Sequence, residues 1–126
     1  MKKAWAAATV ALVMAGAAHA APQSGEVGYP QGALGYDALV QGDFRTAEIQ
    51  LQTSPSAAND PARLINMGYL YLRTGRVANA RQLFEAVRDG RDHFDVELAN
   101  GTVEDSRIVA SRVLARMNSE TQYASR

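Results

Sequence analysis

Between residues 60 and 89 the apolar positions recur every three or four residues, the period of helices lying on a core. Leu64, Met67, Gly68, Tyr71 and Leu72 fall on one helical face; Val77, Ala80, Leu83, Phe84 and Val87 fall on another. Asp60 followed by Pro61 is a helix start, because the carboxylate accepts from free backbone N–H groups and proline lacks the N–H that would be orphaned there. Thr74-Gly75 and Asp89-Gly90 supply the stops. The spacing predicts two helices joined by a tight turn. A weaker version precedes it, with one helix over 31–41 and another over 43–52 that keeps Phe44, Ala47 and Leu51 together. The earlier helix contains Gly32 and Gly35, and each interior glycine costs about 1 kcal/mol relative to alanine, so it depends on tertiary contacts.

Beyond residue 92 the period changes. Phe94, Val96 and Leu98 alternate with Asp95 and Glu97, as in a half-buried strand, and Asn100-Gly101 is a strong hairpin-turn signal. A two-residue loop would pair Ala99 with Thr102 and Leu98 with Val103, placing the apolar residues on one face. The Asn-Gly-Thr triplet also matches a glycan acceptor, but the turn accounts for it without modification. A last helix is predicted over 106–117, capped by Asp105 or Ser106, with Ile108, Val109, Val113, Leu114 and Met117 at helical spacing. Residues 21–28 and 118–126 are expected to fray.

The chain also matches itself. Residues 34–52 laid over residues 67–85 place Gly35 on Gly68, Tyr36 on Tyr69, Leu39 on Leu72, Gly42 on Gly75, Ala47 on Ala80 and Leu51 on Phe84, all at an offset of 33. This pattern resembles the tetratricopeptide repeat family. Leu34-Gly35, Gly42, Phe44, Ala47 and Leu51 carry the resemblance in one unit. Met67-Gly68, Tyr71, Gly75, Ala80, Phe84 and Val87 carry it in the other. Ala38 stands where an aromatic residue is usual, the period is one residue short, and the tryptophan-like opening residue is missing. The resemblance implies that Gly35/Ala47 and Gly68/Ala80 are the small residues where paired helices touch. The expected fold is mainly α-helical. Helix-turn-helix repeats over about 29–53 and 60–89 are closed by a small hairpin over 93–105 and the final helix, in one domain spanning 29–117. An ordinary helical bundle, or a related helical repeat class, would show much the same pattern.

Charge and composition narrow the setting. Lys2 and Lys3, the apolar run 4–17 and Ala18-His19-Ala20 have the layout of a secretory signal peptide cut after Ala20, and the run is short for a membrane span. No cysteine follows, which excludes the lipid-anchored type of signal. Both lysines of the chain lie in that segment, so the remainder carries eleven arginines against thirteen carboxylates, a charge of −2. That balance offers no basic stripe for nucleic acid and no polybasic membrane surface. The absence of cysteine removes disulfides, thiolate nucleophiles and thiolate zinc sites.

Catalytic motifs are lacking too. The sequence has no nucleophile elbow, P-loop or dinucleotide turn, and His93 is the one histidine beyond the signal. Asp89, Asp92, His93, Asp95 and Glu97 crowd together, but neighbouring strand residues point opposite ways, which argues against a convergent metal site. The expectation is a protein that is not an enzyme and has no cofactor or metal.

In the family resembled, the first helices of successive repeats line a groove for a peptide or protein. The matching positions here are Tyr36, Leu39, Val40, Ile65, Asn66, Tyr69, Leu72 and Arg73, of which Leu39, Ile65 and Leu72 read equally well as core. Tyrosine and arginine often dominate interface energy, and Arg73 or Asn66 suits a carboxylate or backbone partner. The groove expected for a partner is therefore Tyr36, Val40, Asn66, Tyr69, Leu72 and Arg73. The resulting expectation is an exported, periplasmic or extracellular scaffold that binds a protein or peptide, neither nucleic acid nor membrane. An accessory subunit of a cell-envelope or secretion assembly is the alternative, and an enzyme or metal protein centred on His93 a distant third.

Overall fold

The computed structural model describes Glu26 and residues 28–125; the expected signal peptide and its expected cleavage point lie outside the described residues. Among the described residues, five helices and a two-stranded antiparallel sheet follow in order: α1 Tyr36–Gln41, α2 Phe44–Gln52, α3 Pro61–Arg73, α4 Val77–Asp89, β1 Asp95–Glu97, β2 Val103–Asp105 and α5 Ser106–Ala124. The fold is mainly helical with a small sheet. No described helix is long and apolar enough to cross a membrane.

The two interhelical turns have the same hydrogen bonds. At the first, Asp43 N–H donates to the Ala38 carbonyl at 2.8 Å and Gly42 N–H to Leu39 at 3.1 Å. At the second, Arg76 N–H donates to Tyr71 at 2.8 Å and Gly75 N–H to Leu72 at 3.3 Å, each residue 33 positions on. This crossed pair closes the orphan carbonyls of a helix end, and it needs a left-handed residue at the glycine. Gly42 and Gly75 meet that need, with φ of 77° and 83°.

Start signals behave as their chemistry requires. Asp60 caps α3, its Oδ1 accepting from Ala62 N–H at 2.9 Å and Arg63 N–H at 3.2 Å, while its Oδ2 accepts from the Tyr29 hydroxyl at 2.8 Å. Asp43 caps α2 through Thr46 N–H, and Asp105 caps α5 through Arg107 N–H. Arg63 ties α3 to the preceding helix end. Its Nε donates to Leu51 O at 2.9 Å, and its two terminal nitrogens donate to Ser56 O and Gln52 O. A cation among the last carbonyls of a helix is favourably placed against the helix dipole.

Two hydrophobic clusters result. The larger gathers Leu34, Ile65, Phe84, Val87, Val96, Leu98, Val109, Leu114 and Met117, so α3, α4, the hairpin and α5 share one core. The smaller holds Ala38, Leu39, Ala47 and Leu51 around Leu70 of α3.

The structure corrects the sequence reading at several points. The first helix begins at Tyr36, not residue 31, because Gly35 takes a left-handed conformation (φ 63°) and breaks the helical path. Gly35 is nevertheless a close-approach site: a β-carbon there would stand 3.3 Å from Ala47 O and 3.2 Å from Leu51 Cγ. Gly90 is not a left-handed helix stop, its φ being −71°; crowding demands glycine, since a β-carbon would lie 2.7 Å from Ala86 O. The expectation of fraying fails at Glu26, which is buried and hydrogen-bonded, and at 118–124, where α5 continues. Within that extension Asn118 Oδ1 accepts from Arg81, and Ser119 and Thr121 hydroxyls donate to carbonyls one turn back. Ile108 lies off the buried stripe of α5 and is 54% exposed. Val77, at the first position of α4, is exposed as well.

The hairpin is shifted by one residue from its expected register. Glu97 pairs with Val103 and Val96 with Glu104, so the loop has three residues, Ala99, Asn100 and Gly101. Gly101 N–H closes a turn onto Leu98 O at 2.8 Å, Leu98 N–H reaches Thr102 O at 2.8 Å, and Gly101 is left-handed at φ 85°. A turn followed by a left-handed glycine is the favoured three-residue hairpin loop. One residue of slip exchanges the faces of a strand. Val103 accordingly points to solvent at 58% exposure, while Val96 and Leu98 stay buried.

Candidate functional site

The six residues expected to line a groove divide between interior and surface. Asn66 is fully buried, and its Nδ2 donates to Leu34 O at 3.0 Å, so it fastens the segment before α1 to α3. Tyr69 is only 5% exposed, and burial raises the pKa of its hydroxyl well above the ordinary range. Tyr36 and Leu72 are half-buried, Leu72 against the larger core. Leu39 and Ile65 belong to the core. Val40, at 58%, and Arg73 are the exposed members. Fewer of these side chains reach the surface than the helical spacing implied; Asn66 and Tyr69 pack inside the fold.

The segment leading into α1 is held by a carboxylate. Glu26 is 4% exposed; its Oε1 accepts from Leu34 N–H at 2.9 Å and Tyr36 N–H at 3.0 Å, and its Oε2 accepts from Gly32 N–H. Three backbone donors around one carboxylate satisfy groups that burial would otherwise leave unpaired.

A different surface emerges where α2 meets the end of α3. Phe44, Arg45, Glu48, Ile49, Gln52 and Thr74 line an open depression of about 320 Å³. Ile49 is 53% exposed, and Phe44 is half-buried with the Arg73 guanidinium 5.1 Å above its ring. Glu48 is already engaged. It pairs with Arg76 and accepts from Gln52 Nε2, and the hydrogen bond from Arg76 holds its carboxyl below the usual range. Arg76 in turn lies 4.2 Å from the Tyr71 ring centroid. Arg45 and Arg73 form no ion pair with a described residue. Arg45 acts on Asp43 only through its field.

Sequence reasoning placed Phe44 among core residues and passed over Arg45 and Ile49. The available signal was Ile49 itself, an apolar residue off the Phe44–Ala47–Leu51 stripe on a nine-residue helix.

The acidic cluster around His93 is dispersed. Asp89 pairs with Arg88, Asp92 Oδ2 accepts from Asn59 at 2.7 Å, and His93 Nδ1 lies 2.6 Å from Asp105 Oδ2. Among the described residues no three His, Asp or Glu side chains converge in a way that would hold a metal ion. His93 and Asp105 instead join the start of the hairpin to the α5 cap, and the His93 contact lowers the pKa of the Asp105 carboxyl.

Comparison of the chain with protein-family models, with curated proteins and with solved structures gives no match.

Proposed function

We propose that this chain is an exported, non-catalytic scaffold whose two helical hairpins are repeats of tetratricopeptide type, and that it holds a protein partner at the α2–α3 surface. The observation that carries the reading is that surface itself: an open depression lined by Arg45, exposed Ile49 and half-buried Phe44, with Arg73 over the Phe44 ring, both arginines lacking a carboxylate partner among the described residues. Exposed apolar area rimmed by polar groups is characteristic of interaction sites, and arginine over an aromatic ring is a frequent interface anchor. The matched turn hydrogen bonds at Gly42 and Gly75 support the repeat assignment, since the two hairpins solve their connection identically. The signal-like first twenty residues support export.

Site-specific photo-cross-linking in the producing cells tests this. A photoreactive residue at position 49 should trap one discrete protein, whereas the same residue at exposed Ser111 on α5 should not. A ladder identical at both positions, or no adduct at either, would overturn the reading. Intact-mass measurement of the exported chain should give a first residue of Ala21; retention of the uncut chain inside the cell would refute export.

A further inference from the structure

We infer that the partner held at the α2–α3 surface presents an acidic peptide segment, with an aliphatic or aromatic side chain close to a carboxylate; this rests on the scaffold reading above. Charge balance at the depression carries the inference. Its one lining carboxylate, Glu48, is occupied by Arg76 and Gln52. Asp43 is committed to capping α2 through Thr46 N–H. Arg45 and Arg73, by contrast, flank Phe44 with no ion-pair partner among described residues. Among the described residues the surface therefore has two guanidinium groups without an ion-pair partner, while the carboxylate that lines the depression is engaged.

The geometry of each guanidinium fits this use. Arg73 is stacked on the Phe44 ring, which removes part of the disorder of a long side chain before any partner arrives, and its planar fork suits a carboxylate better than an ammonium would. Arg45 follows Phe44 on α2 and lines the depression beside Ile49. An apolar partner side chain over Phe44 and Ile49 would keep water from the ion pairs that form around it, and a desolvated pair is stronger than an exposed one. A basic segment would instead meet Arg45 and Arg73 as like charges, so the site selects by repulsion as well as attraction.

The test uses the chain as purified after export and three fluorescein-labelled twelve-residue peptides read by fluorescence anisotropy. One combines Asp and Glu with Leu and Phe, one replaces the acids with Lys, and one keeps the acids but replaces the apolar residues with Ser. The acidic–apolar peptide should bind with micromolar affinity that weakens as salt is raised, and the other two at least tenfold more weakly. Arg45→Glu together with Arg73→Glu should reduce its affinity at least tenfold, and Ile49→Asp at least fivefold, with unchanged circular dichroism; Arg88→Glu should leave it unchanged. Equal binding of acidic and basic peptides, equal loss with Arg88→Glu, or stronger retention on anionic phospholipid vesicles than on the peptide would overturn the inference. If position 49 cross-links a partner in cells but the double charge reversal leaves that adduct intact, the scaffold reading stands and the acidic-segment inference fails. If neither adduct nor peptide binding is found, both fail.

Discussion

The ring of Phe84 occupies the place where a β-carbon on Gly68 would stand, with its Cζ 2.7 Å from that position. Both residues are buried, so α3 and α4 approach through a glycine on one side and a ring on the other. This explains why a strongly helical stretch tolerates a glycine. Alanine at 68 would gain up to about 1 kcal/mol of helix propensity, but overpacking a closed core costs roughly 1–3 kcal/mol. Gly68→Ala should therefore destabilise the protein by about 1–2 kcal/mol in urea unfolding. Combined with Phe84→Leu, which vacates the space, its own cost should vanish or reverse. Equal effects of Gly68→Ala in both backgrounds would show that the ring is not the obstacle.

The Glu26 carboxylate makes a second prediction, about local order. Its hydrogen bonds to the amides of Gly32, Leu34 and Tyr36 leave those donors unpaired if the side chain is removed. Leaving buried donors unsatisfied costs about 1–3 kcal/mol. Glu26→Ala should thus accelerate hydrogen exchange at those amides by one to two orders of magnitude, while the α4 amides exchange as before. Glu26→Gln, which keeps one acceptor, should fall between. Uniform acceleration across the chain would mean that Glu26 contributes only to global stability.

The hairpin separates what the pattern of residues could reveal from what it could not. Alternation of Phe94, Val96 and Leu98 identified β1 and its buried face, because burial imposes a period of two. Register lay elsewhere, in whether Asn100-Gly101 closed a two- or three-residue loop, and Ala99 is compatible with both. The helix start at Asp60 and the turns at Gly42 and Gly75 were legible for a local reason: each depends on chemistry within a few residues. The burial of Asn66 and Tyr69 and the exposed pairing of Arg73 with Phe44 depend on how distant segments pack, which helical spacing does not encode. The register is testable by mutation. Val103→Thr should change stability by less than about 0.5 kcal/mol, as expected for an exposed site, whereas Val96→Ala should cost about 1–3 kcal/mol. Similar costs at the two positions would restore the shorter loop.

Stability should be flat near neutrality and fall at both extremes of pH, for separate reasons. Arg76 lowers the Glu48 pKa, Arg112 lowers that of Glu104, and His93 lowers that of Asp105, each chiefly by hydrogen bonding. A folded-state pKa below the unfolded value gives stability that is present above about pH 4 and is lost as pH falls through the lower folded values. These carboxylates are near the surface, so screening keeps each contribution small, below about 1 kcal/mol. Tyr29 and Tyr69 act in the opposite sense. Burial raises both, and Tyr29 is raised further by its bond to Asp60. A tyrosine whose folded pKa is raised contributes stability present below the unfolded value near 10 and lost as pH climbs beyond it. Urea midpoints measured by circular dichroism should therefore hold steady between about pH 5 and 9 and decline on either side. Glu48→Gln with Glu104→Gln should flatten the acid limb alone, and Tyr29→Phe the alkaline limb alone. An acid limb unchanged in the double variant would place acid sensitivity outside these two pairs, at the contacts that lower the Asp43, Asp89 and Asp105 carboxyls.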